Sequence, residues 1–188
     1  MAPLKAVLAS GNSHKLEELR AALRDWEVAL LAADEQPEET GTTYEENARL
    51  KAEHGRALAP RNAWVLGEDS GIECDALAGA PGVRSARWAP AARQADALVE
   101  RLARERDRRA RMVCTIVALP PEGDEVRAVG VLDGEVAREA RGTGGFGYDP
   151  VFIPHGEERT VAELGDDWKR ANSHRARAAQ ALREAIER

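Results

Sequence analysis

The stretch Ala6-Val7-Leu8-Ala9-Ser10-Gly11-Asn12-Ser13-His14-Lys15-Leu16 joins a short apolar run to a polar loop, and leucines recur at positions 19 and 23. The apolar run reads as a buried strand, and Leu16, Leu19 and Leu23 share one face of a helix. A strand that feeds a helix through a glycine-containing loop is the opening unit of an α/β chain. Backbone N–H groups and the positive end of the helix dipole face such a loop, so an anion can bind there. Gly11 permits close approach, Ser10 and Asn12 add hydrogen-bonding side chains, and Lys15 adds a positive charge. The Walker-type phosphate loop pattern is absent, and the same residues read equally as a plain cap followed by a surface lysine.

Working outward, residues 26–31 read as a second strand, followed by the acidic loop Asp34-Glu35-Gln36-Pro37-Glu38-Glu39. Thr42 with Glu45, or Thr43 with Glu46, forms a capping box opening a helix that ends before Pro60. Residues 63–67 read as a buried strand, Glu68-Asp69-Ser70-Gly71 as a polar turn, and alternation resumes at Ile72 and Cys74. The loop Gly79-Ala80-Pro81-Gly82 precedes a helix with Ala91, Ala95, Leu98 and Leu102 on one face. The mixed-charge run of residues 104–109 reads as a solvated face. Residues 112–119 and 126–132 are strands joined by a hairpin-like connection, and a last helix begins near Ser173. Together these predict one domain over residues 1–188, of the α/β class with a mixed sheet.

Hydrophobic residues make up 43% and charged residues 32% of the 188, the composition of a globular chain that is neither disordered nor fibrous. The formal net charge of -6 argues against a nucleic acid backbone as the main partner. No apolar run reaches membrane-spanning length, so no membrane partner is expected and a cytoplasmic location is. Cys74 and Cys114 sit in apolar stretches without metal or redox spacing and read as buried structural thiols.

Glu68-Asp69, directly after an apolar strand, is where α/β sites form, and oxygen ligands of this kind suit magnesium. Glu38-Glu39 by itself reads as a solvated loop. Gly142, Gly144 and Gly147 match the spacing of the dinucleotide fingerprint, but Tyr148-Asp149-Pro150 and apolar residues follow where that fingerprint needs a helix. What remains is a flexible backbone presenting Phe146 and Tyr148, which can stack on a purine or simply pack in the core. Lys169, His174 and Arg175 place cations near one helix start in an acidic chain.

Taken together, residues 10–15, Glu39-Thr40-Gly41, Glu45-Glu46-Asn47-Ala48, Glu68-Asp69-Ser70-Gly71, Gly79-Ala80-Pro81-Gly82-Val83, Ser85-Ala86-Arg87, residues 142–150 and Ser173-His174-Arg175 resemble the inosine triphosphate pyrophosphatase family, in its order and over nearly the whole chain. The resemblance implies an elongated mixed sheet flanked by helices, two lobes around a central cleft, and a homodimer. It implies a hydrolase converting inosine, deoxyinosine or xanthosine triphosphate to the monophosphate and pyrophosphate, with Mg2+ as cofactor. It assigns substrate binding to Ser10, Gly11, Asn12, Ser13, His14, Lys15, Lys51, Ser70, Phe146, Gly147, Tyr148, Asp149, Lys169, His174 and Arg175. Asp69 is the implied general base, and Glu39, Glu68 and Asp69 the implied metal ligands. Glu68 stands where bacterial members often carry aspartate. A related pyrophosphatase with another base preference, or a nucleotide sensor without catalysis, stands as the alternative.

Overall fold

Strand β1 (Leu4–Leu8) lies between two parallel neighbours, β2 (Trp26–Leu30) and β3 (Trp64–Cys74), with Leu8 opposite Leu30 on one side and Leu66 on the other. The computed structural model describes residues 3–31 and 36–187, so Asp34 and Glu35 of the acidic loop lie outside the described residues. The sheet continues through β4 (Arg109–Leu119), β5 (Val126–Val136) and β6 (Phe152–Pro154), in the order β2-β1-β3-β4-β5-β6. Residues 120–125 are too short a link for a parallel crossover, so β4 and β5 form the hairpin read from the sequence. β6 pairs antiparallel with β5, Gly134 opposite Pro154. The sheet is therefore mixed, and helices α1 (Ser13–Ala22), α2 (Tyr44–Leu58), α3 (Gln94–Arg101), α4 (Val161–Asn172) and α5 (His174–Ile186) flank it.

The chain folds into two compact units. The first contains the described residues of Met1–Asp69, Cys114–Gly130 and Arg175–Arg188; the second contains Ser70–Val113 and Val131–His174. In the first unit, strand alternation sorts the core onto two faces of the sheet. Leu8, Leu66 and Ile116 pack with Leu16, Leu19 and Leu23 from the α1 segment and with Ala179 and Leu182 of α5. One residue further along β4, Val117 turns the other way and packs on Ala48 and Ala52 of α2. Gly67 shares that second face. A Cβ there would stand 1.9 Å from the Ala48 carbonyl oxygen and 2.6 Å from the Ala52 nitrogen, so only glycine lets β3 and α2 approach so closely.

The second unit buries Ile72, Cys74, Leu98, Leu102, Met112, Tyr148, Val151 and Phe152 in its own core. Leu98 and Leu102 face inward as their spacing predicts, but Ala91 is exposed and belongs to a separate 3₁₀ turn, Ala91–Arg93. The charged run is not uniformly solvated either. Arg108 is buried, its Nε donating to the Val136 carbonyl at 2.9 Å and Nη1 to the Leu102 carbonyl at 2.8 Å, with a further bond to Ala137. These bonds tie the end of α3 to the end of β5. Helix α4 was not read from the sequence, although Thr160 and Glu163 form the same reciprocal cap as Thr43 and Glu46. Gly165, at φ 83° and ψ 179°, breaks that helix and weakens its periodicity. Among the described residues no helix is long and apolar enough to cross a membrane.

The β3–α2 contact gives a direct test. Gly67→Ala is expected to cost about 3 kcal/mol, because backbone rather than a movable side chain meets the new methyl group. Thermal unfolding should then show a Tm lowered by on the order of 10 °C.

Candidate active site

β3 runs unbroken through Glu68-Asp69-Ser70-Gly71, which corrects the polar turn read there, and its two-residue period sends adjacent side chains to opposite faces. Asp69 continues the face of Gly67 toward α2. Its Oδ1 lies 2.9 Å from Lys51 Nζ, and its Oδ2 accepts a hydrogen bond from Asn47 Nδ2 at 3.2 Å. Asn47 and Lys51 stand one turn apart on the buried side of α2. That helix is started by Thr43, whose Oγ1 accepts from the Glu46 N–H at 3.1 Å while Glu46 Oε2 accepts from the Thr43 N–H at 3.1 Å, so the second of the two possible capping boxes forms. Asn47 is fully buried, and its Oδ1 also accepts from the Gly41 N–H at 2.8 Å, tying down the loop that carries Glu39. Sequence reasoning gave Asn47 no role; an asparagine on the apolar side of an amphipathic helix, four residues before a lysine, was the available signal.

Lys51 Nζ is also 2.6 Å from Glu39 Oε1 and donates to the Glu68 carbonyl at 3.1 Å. Burial alone would lower the Lys51 pKa, but the charges of Asp69 and Glu68 and the bond to Glu39 outweigh it and raise the value. Burial pushes the Asp69 carboxyl above its ordinary range, with Lys51 opposing. Two carboxylates therefore converge on one positive charge. Glu39 and Asp69 fit Mg2+, which takes one or two protein carboxylates and completes its shell with phosphate oxygens and water.

Glu68 does not join them. Its side chain turns to the opposite face, where it is fully buried and ion-paired, Oε2 with Lys15 Nζ at 2.6 Å and Oε1 with Arg175 Nη2 at 3.0 Å. The same Oε1 accepts from Arg175 Nε at 3.2 Å and from the Cys114 thiol at 3.2 Å, and Arg175 Nη1 reaches Glu18 Oε2 at 2.5 Å. Burial works to raise the Glu68 pKa, but Arg175, Lys15 and Lys51 hold it well below the usual carboxylate range. Of the expected trio, Glu68 thus stands apart from Glu39 and Asp69, and among the described residues no three His, Cys, Asp or Glu side chains form a group that could hold a metal ion.

Side chains of the loop before α1 accept from three of its amides. Asn12 Oδ1 accepts from the N–H groups of His14 at 3.0 Å and Lys15 at 3.3 Å, and Ser10 Oγ accepts from the Asn12 N–H at 3.1 Å. The plain-cap reading therefore holds for these amides, whereas Lys15 is not a surface lysine. Gly11, Ser13 and His14 are exposed.

In the second unit the glycine-rich stretch leads into a 3₁₀ turn, Asp149–Val151, and then β6, so the dinucleotide fingerprint is excluded by its context. Asp149 is buried, and its Oδ2 accepts from the Phe146 N–H at 2.8 Å and from Lys169 Nζ at 2.5 Å. Lys169 Nζ stands 4.2 Å from the centre of the Phe146 ring, a cation–π contact. Gly145, at φ 72°, makes this possible, since a Cβ there would stand 2.1 Å from Asp149 Oδ2. Tyr148 is a core residue instead of a stacking surface: it is buried, and its hydroxyl donates to the Ser85 carbonyl at 2.8 Å. Gly147 and Ser70 are half-buried, and His174 is buried.

The structure thus forms three clusters from the expected residues: Glu39, Lys51 and Asp69; Lys15, Glu68 and Arg175; and, in the second unit, Phe146, Asp149 and Lys169.

Comparison with known proteins gives the chain its family. The profile of the Ham1 family matches residues 6–185. A dITP/XTP pyrophosphatase of Deinococcus deserti is 43% identical over 186 residues, spanning 96% of this chain and 88% of that protein. One from Leifsonia xyli is 43% identical over 95% of this chain and 94% of its own length. Among solved structures, the Staphylococcus aureus Ham1 protein superposes with a TM-score of 0.84 at 37% identity, covering 97% of this chain and 98% of that one. A Mycobacterium abscessus nucleoside-triphosphatase / dITP/XTP pyrophosphatase gives 0.73 at 39% identity, covering 95% and 98%. The chain belongs to the Ham1 family.

Proposed function

We propose that this chain is a dITP/XTP pyrophosphatase, a hydrolase that converts deoxyinosine, inosine and xanthosine triphosphates to the monophosphate and pyrophosphate. The observation that carries the reading is the meeting of Glu39 and Asp69 on one positive charge, in a chain whose relatives bear that activity by name. Mg2+, held by Glu39 and Asp69, would neutralise phosphate charge and lower the pKa of a water.

Lys15 and Lys51 bind phosphate oxygens and stabilise charge on the departing pyrophosphate. Ser10, Gly11, Asn12, Ser13, His14 and Ser70 complete the phosphate contacts. Asp69 takes the proton of the attacking water as its oxygen bonds to the α-phosphorus and the bond to the bridging oxygen breaks. Asn47, bonded to the other carboxylate oxygen, keeps Asp69 turned toward that proton. No covalent intermediate is needed.

Phe146 stacks on the nucleobase, and Asp149 fixes both that residue's backbone and the Lys169 ammonium beside the ring. Gly147, Lys169 and His174 favour the 6-oxo edge, whereas Arg175, expected there too, is buried on Glu68 and Glu18. A site built to donate to that oxygen rejects adenine, which presents an amino group there. The reading includes a homodimer and a cytoplasmic location; sedimentation as a monomer would remove the dimer.

Two measurements test the assignment. Asp69→Asn is expected to lower pyrophosphate release from dITP by on the order of a thousandfold, with an unchanged circular dichroism spectrum. Full activity in that variant would strip Asp69 of its role. Across a nucleotide panel, kcat/KM for dITP and XTP should exceed that for dATP by at least about a hundredfold, with EDTA abolishing turnover. Equal rates on dATP would end the purine-selective reading.

A further inference from the structure

We propose that Glu68 is a positioning residue, a buried carboxylate that holds Lys15 and Arg175 in place, and not a ligand of the cation. The inference rests on the reading of Lys15 as a phosphate-binding residue. Three elements meet at this one side chain: Lys15 from the first turn of α1, Arg175 from the start of α5 and Cys114 from β4. Both carboxylate oxygens are engaged, Oε2 by Lys15 at 2.6 Å and Oε1 by Arg175 at 3.0 Å and Cys114 at 3.2 Å. Its exposure is 0%, and the period of β3 turns it away from Asp69.

A lysine ammonium is a point charge on a flexible four-carbon stem, and fixing it on a phosphate costs rotamer freedom. The ion pair with Glu68, at 2.6 Å, restricts the ammonium in advance and so reduces that cost. Arg175 is held more rigidly, with Nε and Nη2 on Glu68 and Nη1 on Glu18. Two carboxylates, Glu18 and Glu68, thus face two cations, Lys15 and Arg175, so the formal charges of the cluster balance. A phosphate arriving at Lys15 meets a charge already placed.

The decisive experiment is dITP binding in EDTA, by calorimetry, where no metal ligand contributes. Glu68→Gln is expected to weaken this metal-free binding about tenfold, the order of the rotamer freedom Lys15 regains without its ion pair, while the Mg2+ concentration giving half-maximal activity stays at its wild-type value. Lys15→Met should weaken binding at least as much, and the double variant no further, because Glu68 acts through Lys15. Unchanged metal-free binding together with a raised Mg2+ requirement in Glu68→Gln would make Glu68 a cation ligand and overturn the proposal. Additive losses in the double variant would also overturn it, by showing that Glu68 acts on the fold at large. If Lys15→Met binds dITP as tightly as wild type, the phosphate reading of Lys15 is what fails, and the proposal goes with it. Should Glu68→Gln not fold, Glu68→Asp keeps the charge but retracts it from Lys15; the same non-additive loss is expected, and wild-type metal-free binding in that variant overturns the inference.

Discussion

Adjacent side chains on a β-strand point to opposite faces, and in β3 that constraint decides what each of two neighbouring carboxylates does. Asp69 faces α2 with Gly67 and meets Lys51 and Asn47; Glu68 faces α1 and α5 with Leu66 and meets Lys15 and Arg175. The helices on each face are placed by ordinary apolar packing, and the charged residues follow from their registers. Lys51 lies three residues beyond Ala48 and one before Ala52, the two alanines on which Val117 packs. The contact that builds the core therefore also sets where the ammonium reaches.

The two carboxyls titrate in opposite directions for the same reason. Glu68, though completely buried, is kept charged by the cations around it, while burial lifts Asp69 above the ordinary carboxylate range despite Lys51. Environments that push neighbouring acids apart commonly mark a division of labour between a structural charge and a proton acceptor. Here one strand produces that division without any difference in depth along the chain.

Much of this was legible in the sequence where the signal is local. The opening strand and helix, the capping box before α2, the β4–β5 hairpin and the rejection of the dinucleotide fingerprint depend on residues a few positions apart. Reading failed where partners are distant. Glu68-Asp69-Ser70-Gly71 looks like a polar turn because nothing nearby compensates its charges; the compensation comes from Lys15, Lys51 and Arg175. Arg108 looked solvated among charged neighbours, yet the carbonyls it satisfies belong to residues 102, 136 and 137. Tyr148 could have been a stacking ring, and only the packing of the second unit makes it core. Helix α4 was hidden by Gly165 and by charged residues that leave few apolar positions to count.

The buried thiol beside Glu68 has a chemical consequence. Burial and the neighbouring carboxylate raise the Cys114 pKa well above the usual thiol range, and burial pushes Cys74 up to about 11. The sequence holds no other cysteine, so at neutral pH neither sulfur presents a thiolate to electrophiles or peroxides. A single cysteine placed on the surface is therefore expected to accept a fluorophore or spin label ahead of the two buried thiols, without first removing them.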